Sequence, residues 1–122
     1  MKKLLIIPML FACYMGMCQA SVIGKPIRLQ KFEVAQHDFP EAMTWDNAKA
    51  ACAKLGKGWR LPTENELNVM YKNKKKIGGF ASNIYWSSKE YDNTTVLSRD
   101  FNTGEDFYNK TSEYYVRAVR AF

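Results

Sequence analysis

Gly58-Trp59-Arg60-Leu61-Pro62-Thr63-Glu64-Asn65-Glu66-Leu67 is the stretch on which the fold turns. Thr63 and Glu66 have the spacing of a capping box, in which the hydroxyl accepts from the amide three residues on and the carboxylate reaches back to the cap amide. A helix therefore starts after Thr63, with Glu64 favouring the positive end of its dipole. Leu67, Met70 and Tyr71 fall on its inner face. The helix is short and runs out in Lys72-Asn73-Lys74-Lys75-Lys76, followed by Gly78-Gly79. Upstream, Thr44 is a second N-cap, and Trp45, Ala48, Cys52 and Leu55 recur at helical spacing up to Gly56, which stops that helix. Cys52 lies on its apolar face and reads as a buried, inert thiol.

Outside the helices the chain reads as strands. Ile27 to Val34 mostly alternates and predicts one strand with a register change, its inward residues being Ile27, Leu29, Phe32 and Val34. His37-Asp38-Phe39-Pro40 reads as a turn. After the lysines, Ile84–Ser88 and Thr94–Phe101 read as strands, Asn102-Thr103-Gly104-Glu105 as a hairpin turn, Phe107–Asn109 as the return and Tyr114–Phe122 as the closing strand. No internal repeat is present. The expectation is one α+β domain over residues 21–122. At 122 residues, 47% apolar and 25% charged, the composition is that of an ordinary globular chain. The 14% aromatic content supplies the large side chains a small core needs.

Residues 1–20 read as a signal peptide. Lys2 and Lys3 precede the apolar run Leu4–Ala12, and Cys18-Gln19-Ala20 offers small residues for cleavage after Ala20. The run is too short for a good transmembrane helix. A second reading makes Leu10-Phe11-Ala12-Cys13 a lipobox with a lipid anchor on Cys13, against which stand the bulky Phe11 and the apolar residues that follow. Cleavage after Ala20 removes Lys2 and Lys3 from a net charge of +6, so the domain stays basic. It also leaves Cys52 as the single cysteine, which cannot form an internal disulfide.

Met43-Thr44-Trp45-Asp46-Asn47-Ala48, then Gly58–Thr63 with Glu66-Leu67, then Tyr85-Trp86-Ser87-Ser88, then Val116-Arg117-Ala118-Val119-Arg120 occur in that order. The set resembles the Lcl C-terminal domain family, found at the end of bacterial collagen-like adhesins. The resemblance covers about residues 43–122. It implies a C-type-lectin-like fold, with two helices packed on twisted antiparallel sheets and the N- and C-terminal strands paired. It also implies an extracytoplasmic binding module of the bacterial cell envelope, with some relatives serving adhesion. The family often carries a cysteine in the first helix and another in the last strand; the first matches Cys52, but the second position is Ala118, so any such staple is missing. The Trp-Arg-Leu-Pro-Thr run is also similar to formylglycine-generating enzymes, but their C-terminal cysteines have no counterpart here. The Glu-Pro-Asn or Gln-Pro-Asp pattern of calcium-dependent lectins is absent too.

Trp45, Trp59, Arg60, Leu61, Pro62, Thr63, Glu66, Trp86, Arg117 and Arg120 read as a structural signature. Glu64, Glu66 and Asp46 are the candidate partners for the two C-terminal arginines. Catalysis finds no support: His37 is the single histidine, and Ser87 and Ser88 lack a nucleophile-elbow context. Asp92, Asp100, Glu105 and Asp106 occupy the hairpin region, but no spacing among them demands a metal, and no cofactor is expected. The candidate ligand-binding residues are Lys72, Lys74, Lys75 and Lys76, as a cationic run, with Tyr91, Arg99, Asn102 and Tyr108, as aromatic and planar polar groups on loops. A solvated helix end is the plain alternative for the lysines. The reading is an exported, non-enzymatic recognition module for an anionic glycan or similar polyanion, in the periplasm, on the cell surface or secreted. Nucleic acid would suit the charge, but export argues against it. The alternative partner is an envelope protein, bound through exposed aromatics.

Overall fold

The computed structural model describes residues 22–29 and 31–122. The expected signal peptide and cleavage site, and Cys13, lie outside the described residues. Nine elements follow in chain order: β1 (Ile27–Arg28), β2 (Phe32–Val34), α1 (Trp45–Lys54), α2 (Glu64–Lys72), α3 (Lys74–Ile77), β3 (Ile84–Asp92), β4 (Thr95–Asp100), β5 (Asp106–Asn109) and β6 (Val119–Ala121). The strands form two antiparallel sheets, β1-β2-β6 and β3-β4-β5. No described helix is long and apolar enough to cross a membrane.

Both helix starts are as the sequence predicts. The Thr44 hydroxyl accepts from the Asn47 amide and opens α1. At α2 the capping box is complete: Thr63 Oγ1 accepts from the Glu66 amide at 3.1 Å, and Glu66 Oε1 accepts from the Thr63 amide at 2.9 Å. The same carboxylate takes a bidentate pair from Arg60, at 2.7 and 3.0 Å. Burial works against Glu66 ionising, but the Arg60 and Thr63 hydrogen bonds overcome it and hold its pKa below the ordinary value. That stabilisation is therefore present above the usual carboxylate range and lost as pH falls through the depressed value. Thr63→Ala is expected to cost about 1 kcal/mol. Glu66→Gln should flatten the acid limb of the stability curve, as read by urea unfolding at neutral and acid pH.

Three expectations are corrected. The strand expected over Ile84–Ser88 runs on to Asp92, and Tyr91, Arg99 and Tyr108, read as loop groups, lie in β3, β4 and β5, because the β3–β4 pairing continues past the bulge after Trp86. Residues 27–34 are not one strand but a hairpin, with Ile27 paired to Val34 and Arg28 to Glu33. The chain reverses between Arg28 and Phe32, where the Leu29 amide donates to the Phe32 carbonyl. The closing segment is strand only over Val119–Ala121, although Tyr114 and Tyr115 make single bridges to Met43 and Tyr85. Its preceding residues bond instead to irregular backbone: the Ala35 and Phe39 amides donate to the carbonyls of Ala118 and Val116. Pairing of the N- and C-terminal strands does occur, through β2 and β6.

The core has two halves because strand side chains alternate. Trp86 and Val96 belong to the half under α1, with Trp45, Ala48, Cys52, Trp59, Val116 and Ala118. Tyr85, Phe101 and Val119 belong to the half under α2, with Leu67 and Met70. Consecutive residues Tyr85 and Trp86 thus anchor opposite helices. The indole of Trp45 donates to the Ser87 carbonyl and that of Trp86 to the Met43 carbonyl. Ala118 and Cys52 are both fully buried in the same cluster, so packing alone fills that part of the core. Burial pushes the Cys52 thiol up to about 12. A thiol reagent at pH 8 is expected to label Cys52 only as fast as the domain unfolds, because the thiolate is the reactive form. Rapid native labelling would show that α1 opens locally.

Candidate functional site

Helix α2 sorts the candidate ligand-binding residues into two groups. Nine residues make it about 13 Å long. Its C-terminal end meets the β4–β5 turn: Tyr71 packs edge-on against Phe101, with centroids 5.5 Å apart. A Cβ at Gly104 would come within 2.8 Å of the Tyr71 hydroxyl, so only glycine, here with φ +82°, lets the turn sit so close. At this end lie Lys72, Lys74, Lys75, Lys76 and Asn102. Towards the other end, where the Ser88 amide of β3 donates to the Pro62 carbonyl just before α2, lie Tyr91, near Glu64, and Tyr108 beside it. Arg99 falls between, bonded to Asn68.

The lysine run is not uniform. Helix α2 stops at Lys72, and Lys74–Ile77 forms the separate turn α3. Lys74 is engaged internally: its Nζ donates to the Phe101 carbonyl at 2.6 Å and lies over the Tyr71 ring. It ties α3 to the β4–β5 turn. Lys72, Lys75 and Lys76 are exposed, and none takes part in an ion pair among the described residues. They border an open cleft of about 380 Å³. Lys75 also lines a second cleft, of about 280 Å³, against Gly78–Ser82 and Phe101. Asn102 is exposed in the adjacent turn, where its amide donates to Asp100 Oδ1.

Arg99 is likewise engaged. It donates to both carboxylate oxygens of Asp106, at 2.7 and 3.3 Å, and to Asn68 Oδ1 at 2.8 Å. Tyr91 and Tyr108 are 48% and 56% exposed, and their ring centroids are 5.6 Å apart.

The structural signature finds its partners. Arg120 pairs with Glu33 and lies over the Trp59 ring. Arg117 is buried and pairs with Asp38, not with Glu64, Glu66 or Asp46. Asp38 also accepts from the Tyr85 hydroxyl, which in turn accepts from the Ala81 amide. Arg117 donates further to the carbonyls of Ala35 and Gly78 and stacks over Phe80. A Cβ at Gly79 would meet Arg117 Nη2 at 3.2 Å, so Gly78-Gly79 passes as bare backbone over the guanidinium. This network fixes the segment that follows the lysines. Asp38 had no signal in the sequence beyond a turn; its partner is 79 residues away.

The hairpin acids do not converge. Asp106 faces Arg99, Asp92 accepts from the Thr94 amide and hydroxyl, and Asp100 accepts from Asn102. Among the described residues no group of three His, Cys, Asp or Glu is placed to hold a metal ion. Ser87 is buried, and its hydroxyl donates to the Leu97 carbonyl and accepts from the Lys89 amide. A further cleft of about 380 Å³ lies between the β1–β2 hairpin and α2, lined in part by Leu29, Phe32, Glu66 and Val69. Its polar edge holds the Thr63–Glu66 capping box, whose groups already bond one another, together with the exposed side chains of Lys31 and Asn65.

The arrangement of helices on two antiparallel sheets is a C-type-lectin-like fold. Botrocetin, a solved structure of that class, matches with a TM-score of 0.57 at 10% identity, over 80% of this chain and 96% of its own. The chain belongs to the Lcl C-terminal domain family, whose model matches residues 23–120. It matches no curated protein sequence.

Proposed function

We propose that this protein is an exported, non-enzymatic recognition domain of the cell envelope that binds an anionic glycan through Lys72, Lys75 and Lys76. The observation that carries the reading is three exposed, unpaired ammonium groups within five residues, bordering open clefts. Lysine is a compact point charge with three donors, suited to sulfate and carboxylate groups spaced along a flexible polymer. The Lys74 strut and the Arg117 network hold the backbone under these three still, which lowers the ordering cost of binding. Family membership and fold support a recognition role over catalysis. Export, expected from residues 1–20, favours a polysaccharide over nucleic acid as the polyanion.

The test is binding of the purified protein to a sulfated polysaccharide between low and physiological salt. Binding that weakens steeply with salt is the expected result, because each ionic contact releases counterions. Absence of binding, or binding indifferent to salt, would overturn the reading and favour an envelope protein as partner.

A further inference from the structure

We infer that the opposite end of α2 carries a second binding site, in which Tyr91 and Tyr108 form a stacking corner for a neutral pyranose. Two strands that are not neighbours place these rings together: Tyr91 comes from β3 and Tyr108 from β5, with β4 between. Tyr108 is the register partner of Leu97, which is fully buried, so the rings stand on a closed, hydrogen-bonded floor. The ring planes meet at 59°, which makes a corner and not a flat shelf. A pyranose presents an apolar C–H face to one wall and its edge to the other.

The polar surroundings suit hydroxyl groups. Asp106 is held in one orientation by Arg99, yet its side chain keeps 26% of its surface exposed, leaving lone pairs free to accept. Partial desolvation, then the charge of Glu64, exposed in the first turn of α2, then Tyr108 and Asp106, push the Tyr91 phenol up. Lys89 Nζ lies 5.4 Å from the Tyr91 ring centre and supplies a donor. Asp106 is already paired with Arg99, and Glu64 and Lys89 are of opposite charge, so the charges around the rings balance and nothing there selects a sulfated or uronic residue; this site takes a sugar unlike the one the lysines attract. An acyl chain would strip water from Glu64, Lys89 and Asp106 without replacing its hydrogen bonds. Two rings ringed by charge are also far smaller than the roughly 800 Å² per side that a stable protein interface buries.

The site does not depend on the lysine reading, and its test separates the two. The whole purified protein is titrated by calorimetry with cellohexaose, maltohexaose and mannohexaose at millimolar concentration. At least one is expected to bind, with affinity changing less than about twofold as salt rises, since no charge is neutralised. Tyr91→Ala and Tyr108→Ala should each weaken binding by about tenfold. Tyr91→Phe and Tyr108→Phe, which keep the stacking face and the fold, should stay within a few-fold of the parent. Lys72, Lys75 and Lys76 changed together to alanine should leave this binding unaltered. Failure of all three sugars to bind overturns the site, as does binding unaffected by either alanine change or abolished by the lysine changes.

Discussion

Asp38→Ala is expected to be the most damaging single change outside the hydrophobic core, lowering stability by about 3–5 kcal/mol. The Arg117 side chain is 0% exposed, and Asp38 Oδ1 lies 2.6 Å from its Nε. Removing the carboxylate leaves a guanidinium that cannot deprotonate, deep in the domain, with only carbonyl partners. It also takes the acceptor from the Tyr85 hydroxyl, whose pKa burial and the Asp38 contact together raise. At present no buried side-chain polar atom lacks a partner among the described residues, so the network tolerates no deletion without leaving one. For a domain of this size the loss corresponds to a fall in Tm of roughly 15–25 °C. Tyr85→Phe, which removes one hydroxyl, should cost about 1 kcal/mol. Arg117→Met with Asp38→Leu should cost less than Asp38→Ala alone, because the unpaired charge goes with its partner. Urea unfolding of the four proteins checks this. A cost for Asp38→Ala within the range of ordinary surface changes would mean that Arg117 finds water or another acid, and that the network is not what holds Gly78-Gly79.

Lys72, Lys75 and Lys76 changed together to alanine should lower affinity for a sulfated polysaccharide by roughly tenfold to a hundredfold. Exposed charge pairs contribute about 0.2–1 kcal/mol each, and three of them on one polymer act together. The salt slope should fall by about two to three, one counterion per lost contact. Folding stability should move by less than about 0.5 kcal/mol, because none of the three pairs with an acid among the described residues. Lys74→Ala separates structure from binding: it removes the bond to the Phe101 carbonyl and the contact with Tyr71, so stability should fall while the exposed charges remain. Undiminished affinity in the triple variant would move any polyanion site elsewhere.

The local grammar of this protein was legible from residues alone. Thr44 and Thr63 mark helix starts because a cap needs only a hydroxyl within three residues of its amide, and Gly56 marks a stop by the same short-range logic. The Asn102–Glu105 reversal and the apolar face of α1 are likewise set by neighbours in the chain. The family landmarks carried the topology, including the pairing of the terminal strands, which no single segment encodes. Tertiary structure alone decided which charges are free. Lys74 and Lys75 are adjacent and chemically identical in sequence, yet one reaches a carbonyl 27 residues away and the other faces solvent. Arg99 found Asp106 across a hairpin, and Arg117 found Asp38 from nearly the far end of the domain. The same holds for Tyr91 and Tyr108, 17 positions apart and in contact only because β4 lies between their strands. Caps and turns depend on contacts within a few residues, which a sequence displays directly. Ion pairs and surface patches depend on strand order and register, which exist only once the chain has closed on itself.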